Sequence, residues 1–333
     1  MTHSQEIKPV PLFEHLPWNI IDRIAGFADT ETNLALRSSA QAIKEVVDRA
    51  ASRLERLLIH MDCRSYTTTI TMKSGSKNAK YHRQVLVKPC RRGYRMTNPK
   101  QNWKGKVHSK PLHEGVVGTI MKVLKNPRVS IGKLIIDLSA DTLKPRMSNF
   151  DLETFQQLKM SILDLLRSRL EERKQKLQVG TLVMKLSDGC EADLLCILPN
   201  LKPRTLRSIE LDFGASKEVP LNRIIETDQW MKATKLVANG FSMDSVPFEA
   251  WKHFQCLMIS MKKLDTGSFE TMIKHYSVHL TLTYAWIKSN GARETVDAYN
   301  QQRTEEEHNQ GWANSGNIVL VDDSNIIFRE AFQ

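Results

Sequence analysis

The sequence predicts an α/β chain in which a small helical unit is followed by an irregular solenoid of strands and helices. Three observations carry that prediction. Apolar residues recur at helical spacing through the first sixty positions. From residue 129 onward the spacing apolar-x-x-apolar-x-apolar returns five times. Within those returns apolar and polar residues alternate, as in Ser208-Ile209-Glu210-Leu211-Asp212. A sheet covered on both faces would read apolar throughout, so the alternation points to one covered face and one open face.

The first unit opens with Leu16 and Pro17. Proline suits the first turn of a helix, where its missing N–H has no partner in any case. Ile20, Ile21, Ile24 and Phe27 then share one face, and Gly26 with the polar stretch Asp29 to Asn33 stops the helix. A second helix carries Leu34, Leu36, Ala40, Ile43, Val46 and Val47 inward. Its period continues through Leu54, Leu57 and Leu58, giving a helical module over 1–60. So small a bundle buries little surface by itself and is expected to lean on its downstream domain and on a partner.

The run from Leu16 to Ile24 (LPWNIIDRI), a short turn, and the run from Leu34 to Asp48 (LALRSSAQAIKEVVD) resemble the F-box in order and spacing. The resemblance implies that Leu16, Pro17, Ile20, Ile21 and Ile24 dock on a Skp-type adaptor, which in turn sits on a cullin scaffold. Without that resemblance the same residues read as a helical cap whose apolar face packs internally.

Residues 61–114 form a basic connector. The chain's net charge is +11, yet Cys63 to His113 holds 13 Lys or Arg and no Asp or Glu, leaving the remainder at −2. Thr67 to Met72 and Arg83 to Lys88 alternate like two strands of a hairpin. Arg91 to Lys110 is poor in apolar residues and reads as an exposed loop. Tyr94 and Trp103 among its bases could stack nucleobases. A solvated loop is the commoner meaning of such a stretch, and nucleic acid is not the expected partner.

Over 115–333 the apolar triplet falls at Ile131/Leu134/Ile136, Val179/Leu182/Met184, Leu206/Ile209/Leu211, Ala233/Leu236/Ala238 and Phe254/Leu257/Ile259. Its starts lie 48, 27, 27 and 21 residues apart. Apart from the first, these intervals suit leucine-rich repeats. Helix-compatible sequence follows each strand: Phe150 to Lys176, Asp193 to Leu198, Pro220 to Trp230, Pro247 to Phe254 and Ser268 to His275. Parallel strands joined this way stack into a leucine-rich-repeat-like solenoid. Ser139, Ser187, Gly214, Phe241 and Lys262 stand where such repeats often carry Asn, so irregular curvature is expected. With Ile209 and Leu211 inward, the outward stripe is Val183, Lys185, Ser208, Glu210, Asp212, Lys235, Val237, Met258, Ser260, Thr281 and Thr283. Glu210 and Asp212 are its expected recognition charges. Lys288 to Gly316 reads as a polar linker, and Asn317 to Phe332 as a closing strand pair.

Two phrases, Leu198 to Leu211 (LPNLKPRTLRSIEL) and Ile225 to Ala233 (IETDQWMKA), are similar to the FTH domain, the module that follows the F-box in a large family expanded in nematodes. This likeness spans about residues 115 to 330. With the F-box it implies the substrate-recognition subunit of a Skp/cullin/F-box ubiquitin ligase, holding an unknown protein substrate on the outward stripe. A non-ligase interaction adaptor and a nucleic-acid-associated protein using 63–113 are the alternatives.

No phosphate-cradling loop, G-x-S-x-G elbow, HExxH or EF-hand occurs, so neither catalysis nor a cofactor is expected. Cys190 and Cys196 lack a matching His or Cys pair for zinc. His113 and Glu114 read as a surface pair, and Trp230 and Trp251 as core. Five cysteines without a CxxC pair suit a reducing compartment. No apolar run reaches the ~18 residues of a membrane span, and Met1 to Pro9 lacks an apolar signal region. The expected address is therefore cytoplasm or nucleus, away from the membrane.

Overall fold

Each return of the apolar triplet becomes a parallel strand. The computed structural model describes residues 20, 53–75, 80–99, 105–139, 149–186, 189–278, 283–301, 317–321 and 323–330. Strand β1 (Arg53–Asp62) leads into a meander of β2 (Thr67–Gly75), β3 (Lys80–Cys90), β4 (Gly93–Thr97) and β5 (Val107–His108), and then helix α1 (Leu112–Leu124). After β6 (Ser130–Leu138) come α2 (Asn149–Glu171), β7 (Gln178–Leu186), α3 (Glu191–Leu195), β8 (Ser208–Glu218), α4 (Asp228–Lys232) and β9 (Lys235–Ser242). The chain continues through β10 (Cys256–Lys263), α5 (Thr266–Val278), β11 (Tyr284–Asn290), α6 (Ala292–Gln301), β12 (Asn317–Val321) and β13 (Asn325–Glu330).

Among the described residues thirteen strands form one mixed sheet, in the order β12-β13-β11-β10-β9-β8-β7-β6-β1-β2-β3-β4-β5. The seven strands β1 and β6 to β11 run parallel, and antiparallel strands flank them on both sides. Successive parallel strands are always neighbours. Right-handed crossovers then place every connection on the same face of the sheet. Burial agrees: Leu134, Ile136, Leu182, Met184, Ile209, Leu211, Leu257 and Ile259 are at most 3% exposed, whereas most of the residues alternating with them are partly exposed.

The first residue of each triplet is buried at the strand entry, and the next two point into the core. Two residues separate the first from the second, which breaks simple alternation at that step. Gly132 and Gly180 occupy this step on β6 and β7. A Cβ on Gly132 would lie 2.7 Å from the Glu55 carbonyl oxygen, and one on Gly180 would lie 2.8 Å from the Gly132 carbonyl oxygen. Glycine lets the three backbones close up here.

Several sequence expectations are corrected. Leu54, Leu57 and Leu58 do not continue a helix but belong to β1. Leu54/Leu57/Ile59 is a further copy of the apolar triplet, and its first step matches the i, i+3 spacing of a helix. The basic segment is part of the same sheet. Ile70, Met72, Val85, Val87 and Tyr94 are buried in the common core, with β4 and β5 inside the stretch expected to be loop. Helix α1, not expected from sequence, covers this part of the sheet. Tyr94 packs against Gly115, and the Thr119 hydroxyl lies 3.8 Å from Met96 Sδ. The crossovers after β8 and β9 are mostly turns, with five residues in α4 and one 3₁₀ turn at Phe248–Ala250. Lys288 to Gln301 is not linker but the end of β11 and helix α6.

The long helix α2 is tied to the next crossover by a buried ion pair. Lys159 Nζ lies 3.1 Å from Asp193 Oδ2, with side chains 4% and 9% exposed. The second phrase noted above has an equally specific structural role. Gln229, 3% exposed, donates to the Pro199 and Leu201 carbonyls of the preceding crossover. Trp230, fully buried, donates from Nε1 to the Ala250 carbonyl of the following one at 2.6 Å. Helix α4 thus joins three consecutive layers.

Candidate functional site

The face of the sheet opposite the helices carries the candidate site, and strand register orders it into rows. The middle row runs Leu58, Ile135, Val183, Glu210, Val237, Met258, Trp286, Ile327, one residue from each of eight adjacent strands. At ~4.8 Å between strands it extends about 34 Å. Glu210 is its single polar member. The row on the side of the strand entries contains Lys73, Arg56, Lys133, Thr181, Ser208, Lys235, Cys256 and Tyr284. The row toward the strand ends contains His60, Asp137, Lys185, Asp212 and Asn239.

The expected outward residues therefore fall into a lattice and not a single stripe. Val183, Glu210 and Met258 share the middle row with Val237. Ser208 and Lys235 lie on one side of it, and Lys185 and Asp212 on the other. Val183 and Ser208 are only 6% and 7% exposed, sunk between longer neighbours. Ser260 pairs with Lys288 across β10 and β11. The last parallel strand, β11, begins later than its sequence suggests. Trp286 stands level with Met258, Lys288 stands level with Ser260, and Thr283 lies before the strand. Thr281 lies outside the described residues, as do Leu16, Pro17, Ile21 and Ile24. Ile20 is helical and 36% exposed.

Among the residues missed by sequence reasoning are Arg56, Leu58, Lys133, Ile135, Trp286 and Ile327, together with the His60 and Asp137 pair. The triplet at Leu54/Leu57/Ile59 was the available signal for the first two. Lys133 and Ile135 flank an inward residue of a triplet that was recognised.

Two ion pairs organise the charges. Lys133 Nζ reaches over β7 to Glu210 Oε2 at 3.0 Å, so Glu210 is engaged within the protein and is not a free recognition charge. Lys73 Nζ pairs with Glu55 at 2.7 Å. Beside them, His60 Nδ1 lies 3.2 Å from Asp137 Oδ2, and Ser139 donates to the other carboxylate oxygen at 2.8 Å. The hydrogen bond to Asp137 raises the His60 pKa, against the opposing effect of burial. Burial works to raise the Asp137 pKa, but the His60 and Ser139 hydrogen bonds outweigh it and the carboxyl is held below its usual range.

The signs fix a pH dependence. Stability from His60 is fully present below its unfolded value of 6.5 and is lost as pH rises through the raised folded value. Stability from Asp137 is present above 3.8 and is lost as pH falls through its lowered folded value. His60→Asn should therefore cost most near pH 5 and progressively less toward pH 8, staying under about 1 kcal/mol because the imidazole is 44% exposed. Urea midpoints of the two proteins across that range check this.

Elsewhere the chemistry is sparse. No group of three metal-ligating side chains occurs among the described residues. Burial pushes the Cys196 thiol up to about 11, and Cys190 Sγ lies 3.5 Å from Asp193 Oδ2. Glu114, beside His113, pairs with Lys110 at 3.2 Å on the surface. No helix among the described residues is long and apolar enough to cross a membrane.

Residues 160–290 match the model of the FTH domain. The match begins within α2 and ends with the last residue of β11, so it takes in five of the seven parallel strands. No curated protein and no solved structure matches the chain.

Proposed function

We propose that this chain is the substrate-recognition subunit of a Skp/cullin/F-box ubiquitin ligase, acting in the cytoplasm or nucleus. In this reading residues 1–60 bind the adaptor through Leu16, Pro17, Ile20, Ile21 and Ile24. The sheet is a leucine-rich-repeat-like solenoid whose open face holds a protein substrate. The observation that carries the reading is the FTH match, which takes in five of the parallel strands and their part of the apolar middle row, and follows an F-box-like segment. The sequential strand order and the recurring triplet support the solenoid.

The chain performs no chemistry in this role. It binds adaptor and substrate at once, so that substrate lysines meet the charged conjugating enzyme at high effective concentration. Burying Ile20 and Ile24 against an adaptor as fully as core residues would make each truncation to Ala cost ~2–5 kcal/mol of binding. The Ile20→Ala/Ile24→Ala double variant should therefore lose co-purification with a Skp-type adaptor while keeping its thermal transition. Wild-type recovery of adaptor by that variant would refute the assignment.

A further inference from the structure

We infer that the open face takes an extended protein segment in which apolar side chains alternate with carboxylates. The apolar groups lie on the middle row, and the carboxylates lie against the cations of the strand-entry row. This deepens the proposed function by naming the class of segment recognised, and it rests on that reading for the identity of the face.

The charge balance of the face selects the ligand. Glu55 and Glu210 neutralise Lys73 and Lys133. Arg56 and Lys235 have no carboxylate partner among the described residues. Arg56 Nε is buried and has no hydrogen-bond partner there, and the same holds for Ser208 Oγ. Ser208 is 93% buried and sits between Thr181 and Lys235 in the same row. Unsatisfied buried donors beside cations call for an acceptor that carries negative charge. The sheet beyond β1 adds to the field. Lys88 and Arg95 face each other across β3 and β4, both exposed, within a stretch of sequence that has no acidic residue. The adjacent row favours a peptide over single-stranded nucleic acid, because Trp286 is its one aromatic ring and base stacking needs several.

Glu210 has a definite place in this scheme. It occupies Lys133 from within the middle row and so competes with the ligand's carboxylates. Removing its charge should strengthen binding, an effect opposite in sign to that of damaging the fold.

The test uses the full chain without adaptor and follows fluorescence anisotropy of dye-labelled peptides of about ten residues, long enough to span the row. Alternating Glu–Leu, Gln–Leu and Lys–Leu peptides are compared with a single-stranded oligonucleotide. Glu–Leu should bind at least about tenfold tighter than Lys–Leu and should weaken as NaCl rises from about 0.05 to about 0.5 M. Arg56→Gln and Lys235→Gln should each weaken Glu–Leu binding about threefold or more, whereas Glu210→Gln should tighten it. Equal binding of the three peptides, binding of none, tighter binding of the oligonucleotide, or no gain from Glu210→Gln would each overturn the inference. Adaptor pull-down is scored separately. Adaptor binding without acidic preference rejects this inference alone, and acidic preference without adaptor binding rejects the ligase reading alone.

Discussion

Asp193→Ala is expected to lower the unfolding free energy by about 3–5 kcal/mol, because it leaves the ammonium group of Lys159 in the core without its carboxylate. The carboxylate serves more than this one cation. Its Oδ2 also accepts from the Cys190 backbone N–H at 3.1 Å at the start of α3. Lys159→Met should cost less, since Asp193 keeps that acceptor role and a methionine fills similar volume. In the double variant both charges of the buried pair are gone, so much of the Asp193→Ala loss should return. Urea unfolding of the four proteins closes a double-mutant cycle. A loss below about 1 kcal/mol for Asp193→Ala, typical of an exposed pair, would show that the pair is not buried in solution.

Trp230→Ala is the second large effect, at about 3–5 kcal/mol. The indole is fully buried, packs edge-on against Phe254 at 5.2 Å between ring centres, and donates to Ala250. Its loss removes apolar area and also takes away the donor of a partly buried carbonyl in the next crossover. Trp230→Phe keeps most of the ring but not the donor and should fall between wild type and alanine. Thermal denaturation ranks the three. An alanine variant melting within about 2 °C of wild type would contradict the bridging role of α4.

These residues also show where sequence was informative. The alternation at Ser208 to Asp212 gives the direction of those five side chains on β8, because a strand has only two faces. Five triplets mark five strands correctly for the same reason. Leu54 to Leu58 misleads because Leu-x-x-Leu-Leu satisfies a helix and a strand entry equally, and only pairing with β6 decides between them. The later start of β11 has a comparable cause. Its inward residues are Ala285 and Ile287, and alanine gives too weak an apolar signal to set the register against the leucines before it. The Lys133–Glu210 pair was beyond reach altogether. It joins residues 77 apart in sequence and two strands apart in the sheet, so it emerges only once the strands are in order.

The antiparallel strands that flank the parallel ones have a consequence for how such a chain can change over generations. A stack of like units has no natural length, and an uncapped end invites another copy to continue it. Here antiparallel pairing takes over at both ends of the described sheet, in β2 to β5 on one side and in β13 and β12 on the other. The terminal pieces fix where the array stops, and the interior is left free to vary in number. Duplicating one strand-and-crossover unit between β8 and β10 would lengthen the apolar row by one ~4.8 Å step while leaving both ends as they are. Repeated duplication of such a unit would lengthen the apolar row in discrete increments.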